Sequence, residues 1–363
     1  MKNKALKIAA VIGSAAAASV SLAAEKMKKN NKVDVEKLDC LIDLHLHLDG
    51  SISVASARQL AAMQNIEIPE SDEDVKALLS LSGNCRDLNE YLEKFSFPLS
   101  LLQTKEAISQ AVYNLKEELK AQGLMYAEIR FAPQRHCEKG LSQEAAVLAA
   151  IEGSERSDLK SNLIICCMRE KGGREANLET LAIADKLRGK GVCAVDIAGD
   201  EASYPMDEYR YFFDECKRLG LRNTAHAGEA AGPENVHKAI LFETERIGHG
   251  VRSCEDLKVL KEVVARQMPL EFCPTSNLNT SIFESIELYP LRQFLYANAY
   301  VTINTDNMSV SDTTLKKEFR LLIDTFELKK DEVKKLLLNS ANAAFADEKT
   351  KAWLVEKIEN SFK

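Results

Sequence analysis

Eight short apolar runs punctuate the chain, and their order restricts the fold more than any other feature. They read LIDLHLHL (41–48), YAEIRFAP (126–133), LIICCM (163–168), CAVDIAG (193–199), NTAHAGE (223–229), RIGHG (246–250), LEFCPTSN (270–277) and VTINTDN (301–307). Segments of helical character separate them, among them ANLETLAIADKLRGKG and PMDEYRYFFDECKRLG. After the first run, apolar residues spaced three and four apart, as in YLEKFSFPLSLL, mark about eighty residues of mostly helical pattern. Eight buried-type strands alternating with helices predict an α/β fold, a closed parallel (β/α)8 barrel of the TIM type. The rival is an open doubly wound sheet, which carries a glycine-rich phosphate turn after its first strand. This chain has histidines there.

The polar residues that interrupt the runs stand mostly at their C-terminal ends, the face where barrel enzymes assemble active sites. His45 and His47 close the first run, His226 and Glu229 the fifth, His249 the sixth and Asp306 the eighth. Four of the chain's six histidines are thus at strand ends. Side chains two apart on a strand share a face, so His45 and His47 point the same way, about 7 Å apart along the strand. Three imidazoles and a carboxylate (His45, His47, His226 and Asp306) form a nitrogen-rich donor set suited to zinc, with room for one water. Zinc lowers the pKa of bound water to about 7 and so supplies hydroxide at neutral pH. Hydroxide aimed at an sp² carbon needs a base and an acid, and the candidates are His249 and Glu229. Blander roles stay open: Asp306 also suits the cap of a following helix, and Glu229 a solvated loop. Binuclear barrels bridge their metals with a modified lysine on the fourth strand, and VCAVDIAGDE offers none, so one metal is expected. His136 reads as an ordinary loop histidine and His237 as a helix-surface residue.

A chain of 363 residues with 45% apolar and 28% charged residues fits a soluble globular protein and excludes a polytopic membrane protein. A net charge of −7 gives no sign of a nucleic-acid partner. The nine cysteines are odd in number and lack CxxC spacing, as expected of reduced thiols used as small apolar residues. Residues 1–32 differ from the rest. Lys2, Lys4 and Lys7 precede an uncharged stretch ending near Ser21, Leu22 and Ala23, and Lys26, Lys28, Lys29 and Lys32 follow it. That order matches an export signal or an anchor held by the positive-inside bias. The expected organisation is a signal-like segment at 1–32 and one hydrolase barrel at 33–363, exported or membrane-tethered. The cysteines favour the alternative, a cytoplasmic protein.

Taken together, HLHLDGS, YAEIRFAP, DIAGDE, HAGE, IGHG, CPTSN and NTDN resemble the adenosine deaminases of the amidohydrolase superfamily. The resemblance runs from Asp39 to the C-terminus. It implies hydrolytic deamination of adenosine, and of 2′-deoxyadenosine, to inosine or deoxyinosine and ammonia, with one Zn²⁺ per subunit and a small-molecule purine nucleoside as partner. His45, His47, His226 and Asp306 match the metal ligands, Glu229 the acid that protonates the purine ring, and His249 the residue that orients and helps activate the water. Asp49 matches the ribose contact, Gly199 the backbone donor to the far ring nitrogen, and His47 lies near substrate. A helical region at about 56–115 matches the lid over the pocket. Relatives acting on free adenine carry Glu where Asp49 stands, and AMP deaminases need cations for phosphate, none of which flanks HLHLDGS. Asn307 departs from the commonest pattern, an aspartate that must be protonated to donate to the purine. An amide donates without that proton, so purine binding is expected to survive. The alternatives are deamination of adenine or another aminopurine, and a non-catalytic signalling relative that keeps the fold.

Overall fold

The computed structural model describes residues 33–85 and 88–363, with residue 89 as backbone only. The signal-like segment at 1–32 lies outside the described residues. Eight strands pair in sequence order and all in parallel: β1 (Leu41–His47), β2 (Leu124–Phe131), β3 (Lys160–Arg169), β4 (Val192–Gly199), β5 (Asn223–Ala227), β6 (Arg246–His249), β7 (Leu270–Phe272) and β8 (Val301–Ile303). The ring closes at its C-terminal end. Leu46 bridges Asp306, with His47 N donating to Asp306 O at 2.7 Å and Asp306 N to His45 O at 2.8 Å. This is the expected (β/α)8 barrel. Among the described residues no helix is long and apolar enough to cross a membrane.

Alternation along β1 explains how the barrel is filled. Ile42, Leu44 and Leu46 join the apolar cluster that contains Ile129, Val195, Ile197, Val236 and Leu336. The alternate residues Asp43, His45 and His47 share the other side, as period-two geometry requires. A register shift between Asp43 and Leu46 bulges β1 around His45. Bulges re-aim side chains and leave a backbone group unpaired; here Arg130 Nη2 takes the Leu44 carbonyl at 2.6 Å.

Two strands span less than half of their apolar runs. β7 stops at Phe272 because Pro274 opens a short helix, Pro274–Asn279; proline has no N–H to give a ladder and is preset for a first helical turn. β8 stops at Ile303, and Asn304, Thr305 and Asp306 form the stitched seam with β1 instead. The expected lid also divides. Lys105–Ala121 packs beside Gln143–Glu155 as part of the outer ring, whereas residues from Leu88 to Ser100 face the mouth. No disulfide joins the nine cysteines, all of them among the described residues.

Candidate active site

The strand ends deliver the sequence-predicted residues to one place. Ring centroids lie 5.4 Å apart for His45 and His47, 4.6 Å for His45 and His226, and 4.9 Å for His45 and His249. Asp306 Oδ1 faces His47 Nε2 at 3.3 Å and His45 Nε2 at 3.4 Å, and its Oδ2 accepts from Ser276 Oγ at 2.6 Å. The backbone is bent to achieve this: His249 and Asp306 adopt left-handed φ of 59° and 61°. Non-glycine residues seldom do so, and such strain gathers at functional sites. Neither blander role holds. The helix Leu315–Phe326 is capped by Thr314, not Asp306, and Glu229 is buried.

One four-residue group is His45, His226, His249 and Asp306, whose donor atoms all lie within 4.8 Å of one another. That set substitutes His249 for the expected His47, and hydrogen bonding separates the two. Tyr289 Oη donates to Asn277 Oδ1 at 3.1 Å, which turns the amide of Asn277 to donate to His249 Nδ1 at 3.0 Å. A neutral His249 then carries its proton on Nε2, and a protonated nitrogen has no lone pair for a metal. His249 Nε2 is also 3.9 Å from Asp306. The edge of a tetrahedral site with bonds of about 2.0–2.1 Å is only about 3.3 Å. The His45 and His47 distances to Asp306 Oδ1 match that edge. His45 Nε2 is moreover a buried atom without a hydrogen-bond partner, as a ligand awaiting a cation would be. Burial holds the pKa of His47 well below the usual imidazole value, so it is neutral, the form that binds metal. The residues therefore fit a single metal ion on His45, His47, His226 and Asp306.

A layer of residues not anticipated from sequence lies directly beneath. Glu271 Oε2 accepts from His45 Nδ1 at 2.8 Å, and Asp196 Oδ2 from His226 Nδ1 at 2.9 Å, which frees both Nε2 atoms toward the site. Arg130 spans the two carboxylates, at 2.8 Å to Asp196 and 2.9 Å to Glu271, and Arg246 joins Glu271 and Glu128 at 2.7 Å each. All five side chains are buried. Burial pushes the carboxyl of Glu271 upward, but the two guanidinium groups overcome it and hold it well below the usual range. A signal existed for this layer: Glu128, Arg130, Asp196 and Glu271 are charges inside otherwise apolar strands.

Above the donors opens a cavity of about 410 Å³, within the range of small-molecule sites. His47, Asp49, Gly199, Glu229, His249 and Asn307 all line it. Glu229 Oε2 lies 3.6 Å from His249 Nε2. Burial, and then the charges of Asp306 and Glu201, push the Glu229 carboxyl well above its ordinary pKa, which favours its protonated form. Glu201 fixes that loop by accepting from Gly228 N at 2.7 Å and Glu229 N at 2.9 Å. Gly199 has a φ of +99°, and a Cβ there would press on the Arg169 backbone. At Gly50 a Cβ would fall 1.8 Å from Asn307 Oδ1, so only glycine lets Asn307 pack against that turn. Leu88, Tyr91, Leu92, Phe95 and Leu99 cover the mouth, and Tyr91 Oη pairs with Ser311 Oγ at 2.9 Å. His136 and His237 stay outside. His136 is buried against Phe131 with Nδ1 on Leu102 O at 2.8 Å, and His237 pairs with Glu262 on the surface.

A parallel eightfold barrel with a histidine and aspartate cluster at its C-terminal mouth defines the amidohydrolase class of metal-dependent hydrolases. A family model described as adenosine deaminase matches residues 40–361. Adenosine deaminase of Haemophilus ducreyi is 46% identical over 331 residues, covering 89% of this chain and 96% of the relative. That of Clostridium acetobutylicum is 38% identical, covering 88% and 96%. Among solved structures, an adenine deaminase from Arthrobacter aurescens superposes with a TM-score of 0.79 at 27% identity, covering 88% of this chain and 98% of that one. Arabidopsis ADAL complexed with IMP shares the fold, with a TM-score of 0.77 at 24% identity and coverage of 88% and 96%. The chain belongs to the adenosine deaminase family. It is a hydrolase that deaminates purines.

Proposed function

We propose that the substrate is adenosine, with 2′-deoxyadenosine accepted, and that the products are inosine or deoxyinosine and ammonia. One observation carries this reading: a buried Glu229, its carboxyl pushed toward the protonated form, lies 3.6 Å from His249 Nε2 in the cavity into which the donor cluster opens. Zinc held by His45, His47, His226 and Asp306 would supply a water acidic enough to act as nucleophile at neutral pH. His249, with its proton on Nε2, orients that water toward the purine carbon bearing the amine. Glu229 gives its proton to the adjacent ring nitrogen, which lets the ring accept the electron pair of the new C–O bond. The proton of the added hydroxyl passes to the amine as the C–N bond breaks, so that ammonia leaves and the oxygen becomes the carbonyl of inosine, and the proton given up by the attacking water restores the acid form of Glu229. Gly199 N–H serves the far ring nitrogen and Asp49 the ribose, with His47 beside the substrate. The Asn307 amide serves the imidazole-ring nitrogen, its Oδ1 being turned away against Gly50. Identity of 46% to an adenosine deaminase supports the nucleoside over the free base.

The test is metal analysis and a panel of adenosine, 2′-deoxyadenosine and adenine on the purified full chain. About one zinc per chain and inosine from adenosine are expected. Preference for adenine would move the assignment to that base, and metal-free protein inert to all three would leave only the signalling relative. For location we propose export or membrane tethering through residues 1–32, with a cytoplasmic protein as the alternative. Sequencing the mature N-terminus in the native host tests it: an intact Met1 on soluble cytosolic protein refutes export.

A further inference from the structure

The sequence places no cation beside HLHLDGS, but the fold brings one to the cavity. Arg135, on the turn Pro133–His136 that follows β2, is the only lysine or arginine among the described residues lining it. Its root is fixed, since Arg135 N donates to Ala132 O at 3.0 Å and Gln103 Nε2 donates to Arg135 O at 2.9 Å. Asp49, to which the sugar contact is assigned, lines the same cavity. An unpaired arginine there would be a ready phosphate site, because its planar fork matches phosphate oxygens.

It is not unpaired. Arg135 Nη2 lies 2.6 Å from Glu170 Oε2, just past the end of β3. Glu138 lines the cavity as well. A 5′-phosphate arriving there meets one guanidinium already neutralised, with the carboxylates of Glu170, Glu138 and Asp49 around it. Like charges so arranged reject a partner more strongly than one shared cation recruits it. The pair itself is loosely held, its side chains 40% and 31% exposed, so a change of partner is cheap once the competing charge is gone.

We propose that Glu170 masks Arg135, so that the sugar end of the cavity selects uncharged nucleosides over their 5′-phosphates, and that Arg135 is a latent anion subsite. This rests on the nucleoside deaminase reading of the site. The barrel alone does not decide the matter, since ADAL, of the same fold, has been crystallised with IMP and with GMP. The choice falls to side chains at the mouth.

The experiment measures kcat/KM for adenosine and AMP on the full chain, on Glu170→Gln, and on Glu170→Gln combined with Arg135→Ala. The parent should use AMP at least ~100-fold less well than adenosine, as expected when like charges must be desolvated together. Glu170→Gln should raise kcat/KM for AMP at least ~10-fold, equivalent to 1.4 kcal/mol, while adenosine changes less than ~3-fold. Adding Arg135→Ala should erase the gain, and raising the salt should shrink it in the single variant. Equal use of AMP by the parent, an unchanged ratio in Glu170→Gln, or a gain that survives the loss of Arg135 would each overturn the proposal. A parent active on neither compound would instead refute the nucleoside reading on which it stands. Should Glu170→Gln melt early, Glu170→Ser repeats the comparison with a smaller neutral residue.

Discussion

Two layers of charge lie one above the other inside this barrel, and they differ in how completely their bonds are closed. The upper layer is His45, His47, His226, His249, Asp306 and Glu229, at the ends of the strands. Its atoms leave valences unused: His45 Nε2 has no hydrogen-bond partner, and burial and neighbouring carboxylates push the Glu229 carboxyl toward its protonated form. The lower layer is Glu128, Arg130, Asp196, Arg246 and Glu271, further down the same strands. There two guanidinium groups bind three carboxylates, and two of those carboxylates also hold imidazoles of the upper layer. Open valences suit chemistry and closed ones suit positioning. The lower layer keeps the Nε2 atoms of His45 and His226 aimed at the site, as carboxylate partners of metal-binding histidines do.

That division predicts separate responses to substitution. The largest effect should come from the upper layer. His226→Ala should abolish activity and empty the metal site with little change in the melting temperature of the metal-free protein, whereas His237→Ala should do neither. Equal behaviour of the two variants would end the assignment. In the lower layer Arg130→Met removes the cation between Asp196 and Glu271. It should cost about 3–5 kcal/mol of stability by leaving buried carboxylates uncompensated. Urea denaturation measures this, and an unchanged midpoint would show that the layer holds nothing. Glu229→Gln returns to the upper layer: kcat should fall at least ~10²-fold with zinc content and KM nearly unchanged. A kcat within a few-fold of the parent removes Glu229 from the chemistry. Glu271→Gln preserves shape but weakens the orienting bond to His45, and metal affinity should drop ~10–100-fold in a chelator competition.

The smallest effect concerns a buried histidine that belongs to neither layer. Burial lowers the pKa of His136 to about 4, so the native state refuses a proton that the unfolded chain accepts near 6.5. The unfolded state therefore binds more protons between those values. Stability from this residue is complete above about pH 6.5 and declines as pH falls toward 4, by at most about 3 kcal/mol. His136→Asn keeps a donor for Leu102 O but has no proton to gain, so its stability should vary less with pH over that window. Parallel pH curves for parent and variant would contradict the buried, neutral state.

Much of the upper layer was legible because strand ends and period two are local properties. LIDLHLHL declares both its direction and its paired histidines within eight letters. The lower layer was harder to see, since its meaning lies in partners distant along the chain: Arg130 and Asp196 are 66 residues apart, and His45 and Glu271 are 226 apart. Taken alone, the charges in YAEIRFAP or LEFCP are equally consistent with solvated positions on edge strands.

What the sequence determined by itself was the number and order of strands, the barrel they form, and which residues reach its mouth. Each follows from short-range alternation of apolar and polar side chains, a pattern written within ten residues. Tertiary structure decided what no local pattern contains. It fixed the tautomer of His249 through Asn277 and Tyr289, and so separated it from His47 as a ligand. It placed Arg135 in the cavity and gave it Glu170 as a partner. The physical reason is common to both cases: the role of a titratable or charged group depends on which atoms stand within about 3 Å of it. Closure of the barrel selects those atoms from strands and loops that are remote in sequence.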